Sequence, residues 1–204
     1  MIILQIMVKR FLGVEISFQF YYFALLTIVL IFDKSGGIFC CFLSSFFHEI
    51  GHLLAILVLK QKVDRIEFSL FDIKIKSNYY VSFSKELIIT LSGVAFNFIL
   101  FLFFIRTIRI FALANLFIAI FNLLPVSTLD GGQAINIILN KFISEEKSVI
   151  ILNILTVVFA IPVFTLGIIV LFNTGYNFSF LLLGVYLFLT PIYNRKAISR
   201  GNYD

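Results

Sequence analysis

The sequence His48-Glu49-Ile50-Gly51-His52 lies inside a long apolar stretch from Ile38 to Leu59 and contains the only two histidines of this 204-residue chain. On a helix, positions i and i+4 share a face, so both imidazoles can bind one metal ion. Glu49 lies close enough to accept a proton from a metal-bound water. An ionisable group at the centre of a membrane helix costs about 2.5–3.5 kcal/mol, so it is seldom found there without a function. The pattern predicts a zinc site, and the alternative is two histidines that hydrogen-bond to neighbouring helices.

The composition is that of a membrane protein. Hydrophobic residues make up 61% of the chain, charged residues 13%, and the mean hydropathy is +1.07. A soluble domain of this length could not bury so much apolar surface, so we predict a polytopic protein surrounded by the lipid bilayer. The net charge of +5 does not indicate a nucleic-acid partner, because the basic residues are distributed by membrane side. The adjacent Cys40 and Cys41 are interpreted as packing residues.

Six apolar segments are about as long as the roughly 20 residues that a membrane span needs. We therefore predict an all-α polytopic membrane protein with about six transmembrane helices and a single domain, residues 1–204. Pro125 is expected to end the fourth helix, since proline cannot continue the backbone hydrogen bonds. The predicted segments are Ile16–Phe32, Ile38–Leu59, Leu87–Ile105, Ile110–Val126, Val149–Phe172 and Phe178–Tyr193.

The basic residues predict the orientation of these helices. With a cytoplasmic N-terminus, thirteen Lys and Arg residues lie on the inner side, and three lie outside, namely Lys34, Arg106 and Arg109. The positive-inside rule then places both termini in the cytoplasm of a bacterial cell membrane. The second helix runs inward, so His52 lies nearer the cytoplasmic face than His48.

The segment from Val63 to Phe83 has a different pattern. Apolar residues alternate with polar ones at Ile66, Phe68 and Leu70. After a one-residue slip the alternation resumes at Phe71, Ile73 and Ile75. A Ser77-Asn78 turn is then followed by Tyr79, Val81 and Phe83. Period-2 alternation is typical of strands, and the slip indicates a bulge or tight turn. We predict a short membrane-associated β-hairpin between the second and third helices. It could pair with an extended substrate or be a solvated surface hairpin.

A third metal ligand is needed, because catalytic zinc usually has three protein ligands and an open position. No third histidine exists, so a carboxylate or thiolate is expected. Nine of the eleven acidic residues lie in predicted loops, termini or interfacial stretches, whereas Glu49 and Asp130 lie in or against a predicted span where the cost of a charge demands a reason. Asp130 precedes Gly131 and Gly132, and broken backbone at membrane depth is tolerated only when it is buried in protein or lines a cavity. Asp130 is therefore the candidate ligand, with an ordinary Asp-Gly-Gly turn as the alternative.

These two motifs together resemble the site-2 protease family of intramembrane zinc metalloproteases. That family pairs His-Glu-x-x-His with an Asn-x-x-Pro-x-x-x-x-Asp-Gly motif. The matching residues here are His48, Glu49 and His52, then Asn122, Pro125, Asp130 and Gly131. The family's Gly-Pro-x-x-Asn stretch is present as Gly93 and Asn97, with Val94 in place of the proline. Within the family, the phrase Asn-Leu-Leu-Pro and the six-helix layout look most like the branch of stage IV sporulation protein FB. Members of that branch often carry a cytoplasmic CBS domain after the last helix, and we expect none in this chain.

The resemblance implies a zinc-dependent endopeptidase that cleaves a membrane-embedded or membrane-tethered protein near the cytoplasmic face. Zn²⁺ would be bound by His48, His52 and Asp130, and Glu49 would be the catalytic base. The substrate could be a sigma-factor precursor, as in sporulation, or another regulator, and membrane-bound regulators are possible partners. Asn97 and Asn122 are candidate substrate-binding residues, and the alternative is that their amides bond neighbouring helices.

Two other functional classes remain open. A catalytically silent membrane adaptor could keep the fold, although an intact Glu49 favours catalysis. A metal transporter would also bind metal at mid-membrane, but it is expected to show paired half-repeats or further ligands along a path. The sequence has a single cluster of candidate ligands.

Overall fold

The computed structural model describes residues 5–11, 14–19, 36–61, 65–68, 73–76, 82–175 and 181–191. Helices account for most of them, in accord with the predicted helical membrane fold, and a four-stranded sheet is added to it. The strands are β1 (Gln5–Phe11), β2 (Val14–Gln19), β3 (Arg65–Phe68) and β4 (Ile73–Lys76). The helices are α1 (Gly37–Val58), α2 (Phe83–Phe104), α3 (Arg109–Asn122), α4 (Asp130–Asn140), α5 (Glu145–Thr174) and α6 (Leu181–Pro191).

Three of the described helices, α1, α2 and α5, are long and apolar enough to cross a membrane. Helices α3 and α6 are apolar but shorter. The predicted count of six spans is therefore not supported by the described residues. The first predicted segment, Ile16–Phe32, is wrong over residues 16–19, which belong to strand β2. Its remainder, residues 20–32, lies outside the described residues.

Helix α3 ends at Asn122, earlier than the predicted Val126. The N–H groups of Leu123 and Leu124 donate to carbonyls three residues back, at 3.2 and 3.1 Å. Such i→i−3 bonds tighten and close the last helical turn, so the helix stops before Pro125 is reached. A 14-residue helix is about 21 Å long, which is shorter than the roughly 30 Å hydrocarbon core.

The four strands form one sheet in the order β1-β2-β3-β4. Strands β1 and β2 are antiparallel, β2 and β3 are parallel, and β3 and β4 are antiparallel. The β3–β4 pair lies within the interval for which the hairpin is predicted, and the membrane association of that hairpin stays a prediction. Phe83, predicted to end the alternating segment, instead begins α2. Strands β1 and β2 had no counterpart in the sequence prediction.

The chain divides into two compact units, Met1–Ala119 and Ile120–Asp204; the prediction of a single domain stays a prediction. In the first unit, α1 and α2 approach so closely that their backbones touch. A Cβ atom added at Gly51 would lie 2.8 Å from the Ser92 carbonyl oxygen and 3.0 Å from Gly93 Cα. Small residues permit such close helix packing in membranes, where apolar burial alone does not drive helices together. Phe111 of α3 packs edge-on against Phe47 of α1, with ring centroids 6.0 Å apart.

The second unit is built around a small buried core. Val126, Ala160 and Leu187 come from the segment before α4, from α5 and from α6, and each is at most 1% exposed. Phe164 and Phe188 pack edge to face beside them, with ring centroids 5.7 Å apart. The segment from Leu123 to Leu129 is therefore anchored in the core through Val126, although it has no regular secondary structure.

Candidate metal centre

His48 and His52 lie one turn apart on α1, and their ring nitrogens converge. The two Nε2 atoms are 3.2 Å apart, and the side chains are 3% and 9% exposed. Nitrogens bound to zinc at about 2.0–2.1 Å in tetrahedral geometry lie about 3.3 Å from each other. The observed separation therefore matches that of two histidines sharing one zinc ion.

The orientation of His52 is set by helix α2. Its Nδ1 lies 2.7 Å from the carbonyl oxygen of Ile89, so in the neutral ring Nδ1–H donates to this carbonyl and the lone pair is on Nε2. Ser92 Oγ also donates to Ile89 O, at 2.6 Å, and lies 3.4 Å from His52 Nδ1. Metal-binding histidines almost always donate their second ring N–H to such an acceptor, which fixes the tautomer and the ring orientation. The contact therefore presents His52 Nε2 toward His48 in the form that binds metal.

Gly93 of α2 provides the space in which the two imidazoles meet. A Cβ atom added there would lie 2.8 Å from both Cε1 and Nε2 of His48 and closer still to His52 Nε2. Contacts under 3 Å are too short for carbon, so any larger residue would displace the ligand nitrogens. This gives a physical reason for glycine at the first position of the Gly93–Asn97 stretch.

We expect Gly93→Ala to weaken zinc binding by at least tenfold, because the added methyl group occupies the space of the histidine nitrogens. Substitutions of residues that support the metal ligands without binding the metal commonly lower metal affinity by about 10–100-fold. Zinc affinity measured by competition with a chromogenic chelator checks this. Ala95→Ser is the matched control, since it adds one heavy atom at an exposed position two residues along the same helix. Equal affinity in Gly93→Ala and wild type would show that the imidazoles do not need this space.

Asp130 is the first residue of α4 and is 9% exposed. Its position depends on the two glycines that follow it. A Cβ atom at Gly131 would lie 2.7 Å from the Leu124 carbonyl oxygen, and one at Gly132 would lie 2.9 Å from the Ser127 nitrogen. The segment before α4 therefore packs directly on the first turn of the helix, which only residues without a side chain allow.

His48, His52 and Asp130 form a group of side chains that could hold a metal ion. One ligand atom each from His48, His52 and Asp130 lies within 4.8 Å of the other two. Two imidazoles and a carboxylate form a donor set that catalytic zinc sites use, with the fourth position left for water or substrate. The residues present thus fit a zinc ion.

The other predicted site residues have different surroundings. Glu49 is half-buried on α1, next to His48. Asn97 is fully buried, and its Nδ2 donates to the Ser44 carbonyl oxygen of α1 at 3.4 Å, which favours the helix-bonding alternative for this residue. Asn122 is the half-buried last residue of α3.

Sequence reasoning missed the support of His52 by Ile89 and Ser92. The acceptor is a backbone carbonyl, which every residue has, so no side-chain pattern could have identified Ile89. Ser92 directly precedes Gly93, and a hydroxyl at that position is the one signal that the sequence offered.

The family model of peptidase family M50 matches residues 103–166, a segment that contains Asn122, Pro125, Asp130 and Gly131. The solved structure of a site-2 protease from Methanocaldococcus jannaschii is similar with a TM-score of 0.67 and 20% identity, covering 93% of this chain and 94% of that one. The fold is like that of a site-2 protease. No curated protein sequence matches the chain significantly. This similarity concerns the fold, and membership of the family and of its sporulation branch stays a prediction.

Proposed function

We propose that this protein is a zinc-dependent endopeptidase that cleaves membrane-embedded or membrane-tethered proteins. The observation that carries the proposal is the convergence of His48, His52 and Asp130 ligand atoms in a chain whose fold is like that of a site-2 protease. The three membrane-span candidates support a membrane protein as the setting for this proposed chemistry.

The residues of the chain have separate roles in the proposed hydrolysis. Zn²⁺, when bound, supplies a Lewis acid that polarises the scissile carbonyl and acidifies water. His52 is kept in the metal-binding tautomer by the Ile89 carbonyl. Glu49 accepts a proton from the attacking water as the C–O bond forms, and then passes it to the amide nitrogen as the C–N bond breaks.

The substrate must reach the site as an extended chain, because helical peptide bonds are shielded by their own hydrogen bonds. We propose that the sheet accepts this extended segment by edge pairing, a general way of binding peptides. Strand β4 supports this, since it is the last strand in the sheet order of the described residues. Asn122 is proposed to hold the segment through its amide, and the same role for Asn97 would require its bond to Ser44 to open.

The experiment that tests the function uses purified protein in liposomes together with a panel of single-span membrane peptides, one of them a tethered sigma-factor precursor. We expect cleavage near the cytoplasmic end of a span, inhibition by the zinc chelator 1,10-phenanthroline and recovery with added zinc. Zinc flux across the same liposome membrane without peptide cleavage would favour the transporter. The absence of both zinc flux and cleavage would favour the silent adaptor. Cleavage of the sigma-factor precursor alone would support the role in sporulation.

We further propose that the protein lies in a bacterial cell membrane with both termini in the cytoplasm. On the six-span layout predicted from the sequence, thirteen basic residues would be inside and three outside, which supports this orientation. A reporter fused after Asp204 is expected to be active as a cytoplasmic fusion, and one inserted at 173–177 as an external fusion. An external signal from the Asp204 fusion would contradict the orientation.

A further inference from the structure

Thr156 of α5 contacts the segment that leads into Asp130. Its side chain is fully buried, and its Oγ1 accepts a hydrogen bond from the backbone N–H of Ser127 at 3.0 Å. The same hydroxyl donates to the Leu152 carbonyl oxygen at 2.8 Å. A threonine hydroxyl has one proton, so donation to Leu152 leaves its lone pairs free to accept the Ser127 N–H. The hydroxyl is therefore oriented as an acceptor for this loop.

Backbone hydrogen bonds and close packing tie the segment between Ser127 and Asp130 to its surroundings. Val126 is buried in the core, and its carbonyl accepts the Leu129 N–H at 2.9 Å. The Leu129 carbonyl accepts the Gln133 N–H at 2.9 Å and so joins the loop to the first turn of α4. Because Gly132 packs directly against Val126 and the Ser127 nitrogen, a shift at Ser127 is passed on to Asp130.

We propose that Thr156 is a positioning residue for the metal centre: by accepting the Ser127 N–H, it holds the carboxylate of Asp130 where it can bind the ion. The proposal rests on the zinc site proposed above. Thr156 is outside both sequence motifs and lies 26 residues beyond Asp130 in the chain.

The test compares Thr156→Val, Thr156→Ser and Thr165→Val. Valine keeps the shape of threonine and removes the acceptor, whereas serine keeps the hydroxyl. Thr165 is the matched control, because its Oγ1 makes the same type of intrahelical bond on α5, to Ile161 O at 2.9 Å, but its side chain is exposed. We expect about tenfold weaker zinc binding in Thr156→Val. This is the lower end of the roughly 10–100-fold loss of metal affinity seen when residues that support metal ligands are replaced. Thr156→Ser and Thr165→Val should bind zinc like the wild type.

A second readout separates positioning from a loss of stability. The visible absorption of the Co²⁺-loaded protein reports the ligands around the ion, and we expect it to change in Thr156→Val while thermal unfolding shows that the variant is folded. Wild-type zinc affinity and an unchanged Co²⁺ spectrum in Thr156→Val would overturn the role of Thr156 and leave the metal site intact. A wild-type protein that binds no zinc would overturn both proposals. If Thr156→Val fails to fold, Thr156→Ala is measured in its place, with the same two outcomes deciding.

Discussion

Glu49→Gln is expected to abolish peptide cleavage while zinc remains bound. The substitution keeps the size of the side chain and removes the group that accepts the proton from water. General acid–base catalysis contributes about 10²–10⁴-fold, so cleavage of a membrane peptide in liposomes should fall by at least about 100-fold. Zinc content measured on the same preparation should stay at one ion per chain, because His48, His52 and Asp130 are unchanged.

Glu86→Gln is the control for the loss of a carboxylate in a membrane helix. Glu86 lies exposed in the first turn of α2 and is outside the sequence motif that contains Glu49. This variant should keep both zinc and cleavage. Wild-type cleavage by Glu49→Gln would remove Glu49 from the proton-transfer role, and the hydrolysis described above would need another base even if the zinc site survives.

Asp130→Ala is expected to lose most of the bound zinc. It removes one of three protein ligands, and the remaining two nitrogens, 3.2 Å apart, cannot complete the set that catalytic zinc uses. The loss of zinc affinity should exceed the roughly 10–100-fold loss caused by replacing residues that only support the metal ligands. His48→Ala and His52→Ala should lose zinc to a similar extent as Asp130→Ala. Metal analysis after dialysis against a weak chelator measures the loss.

Glu146→Ala is the matched control for Asp130→Ala. Both residues lie in the first turn of a helix, where a carboxylate interacts favourably with the helix dipole. Glu146 is exposed, so its replacement should leave zinc binding unchanged. Full zinc retention in Asp130→Ala would show that water or another acid is the third ligand, and the ligand set proposed here would then be wrong.

Much of the site could be predicted from local sequence. The i, i+4 spacing of His48 and His52 is a property of any helix, so their shared face followed from the predicted span at Ile38–Leu59, which the structure confirms as Gly37–Val58. Asp130 was predicted from the cost of a charge at membrane depth, which few residues of this chain incur. Each of these two arguments needs only one segment of the sequence and its immediate surroundings.

The sequence by itself predicted the helical membrane class and the candidate ligands His48, His52 and Asp130. Only the tertiary structure decided which contacts position them. The Ile89 carbonyl accepts a hydrogen bond from His52, Gly93 leaves space for the two imidazoles, and the Thr156 hydroxyl accepts the Ser127 N–H. It also decided the early end of α3 and the pairing of β2 with β3 across the intervening helix. The physical reason is that periodicity and the cost of a buried charge act along neighbouring residues, whereas these supports join residues 29 to 45 positions apart, two of them through a backbone group that every residue carries. Such contacts depend on the close packing of helices, which no single segment specifies.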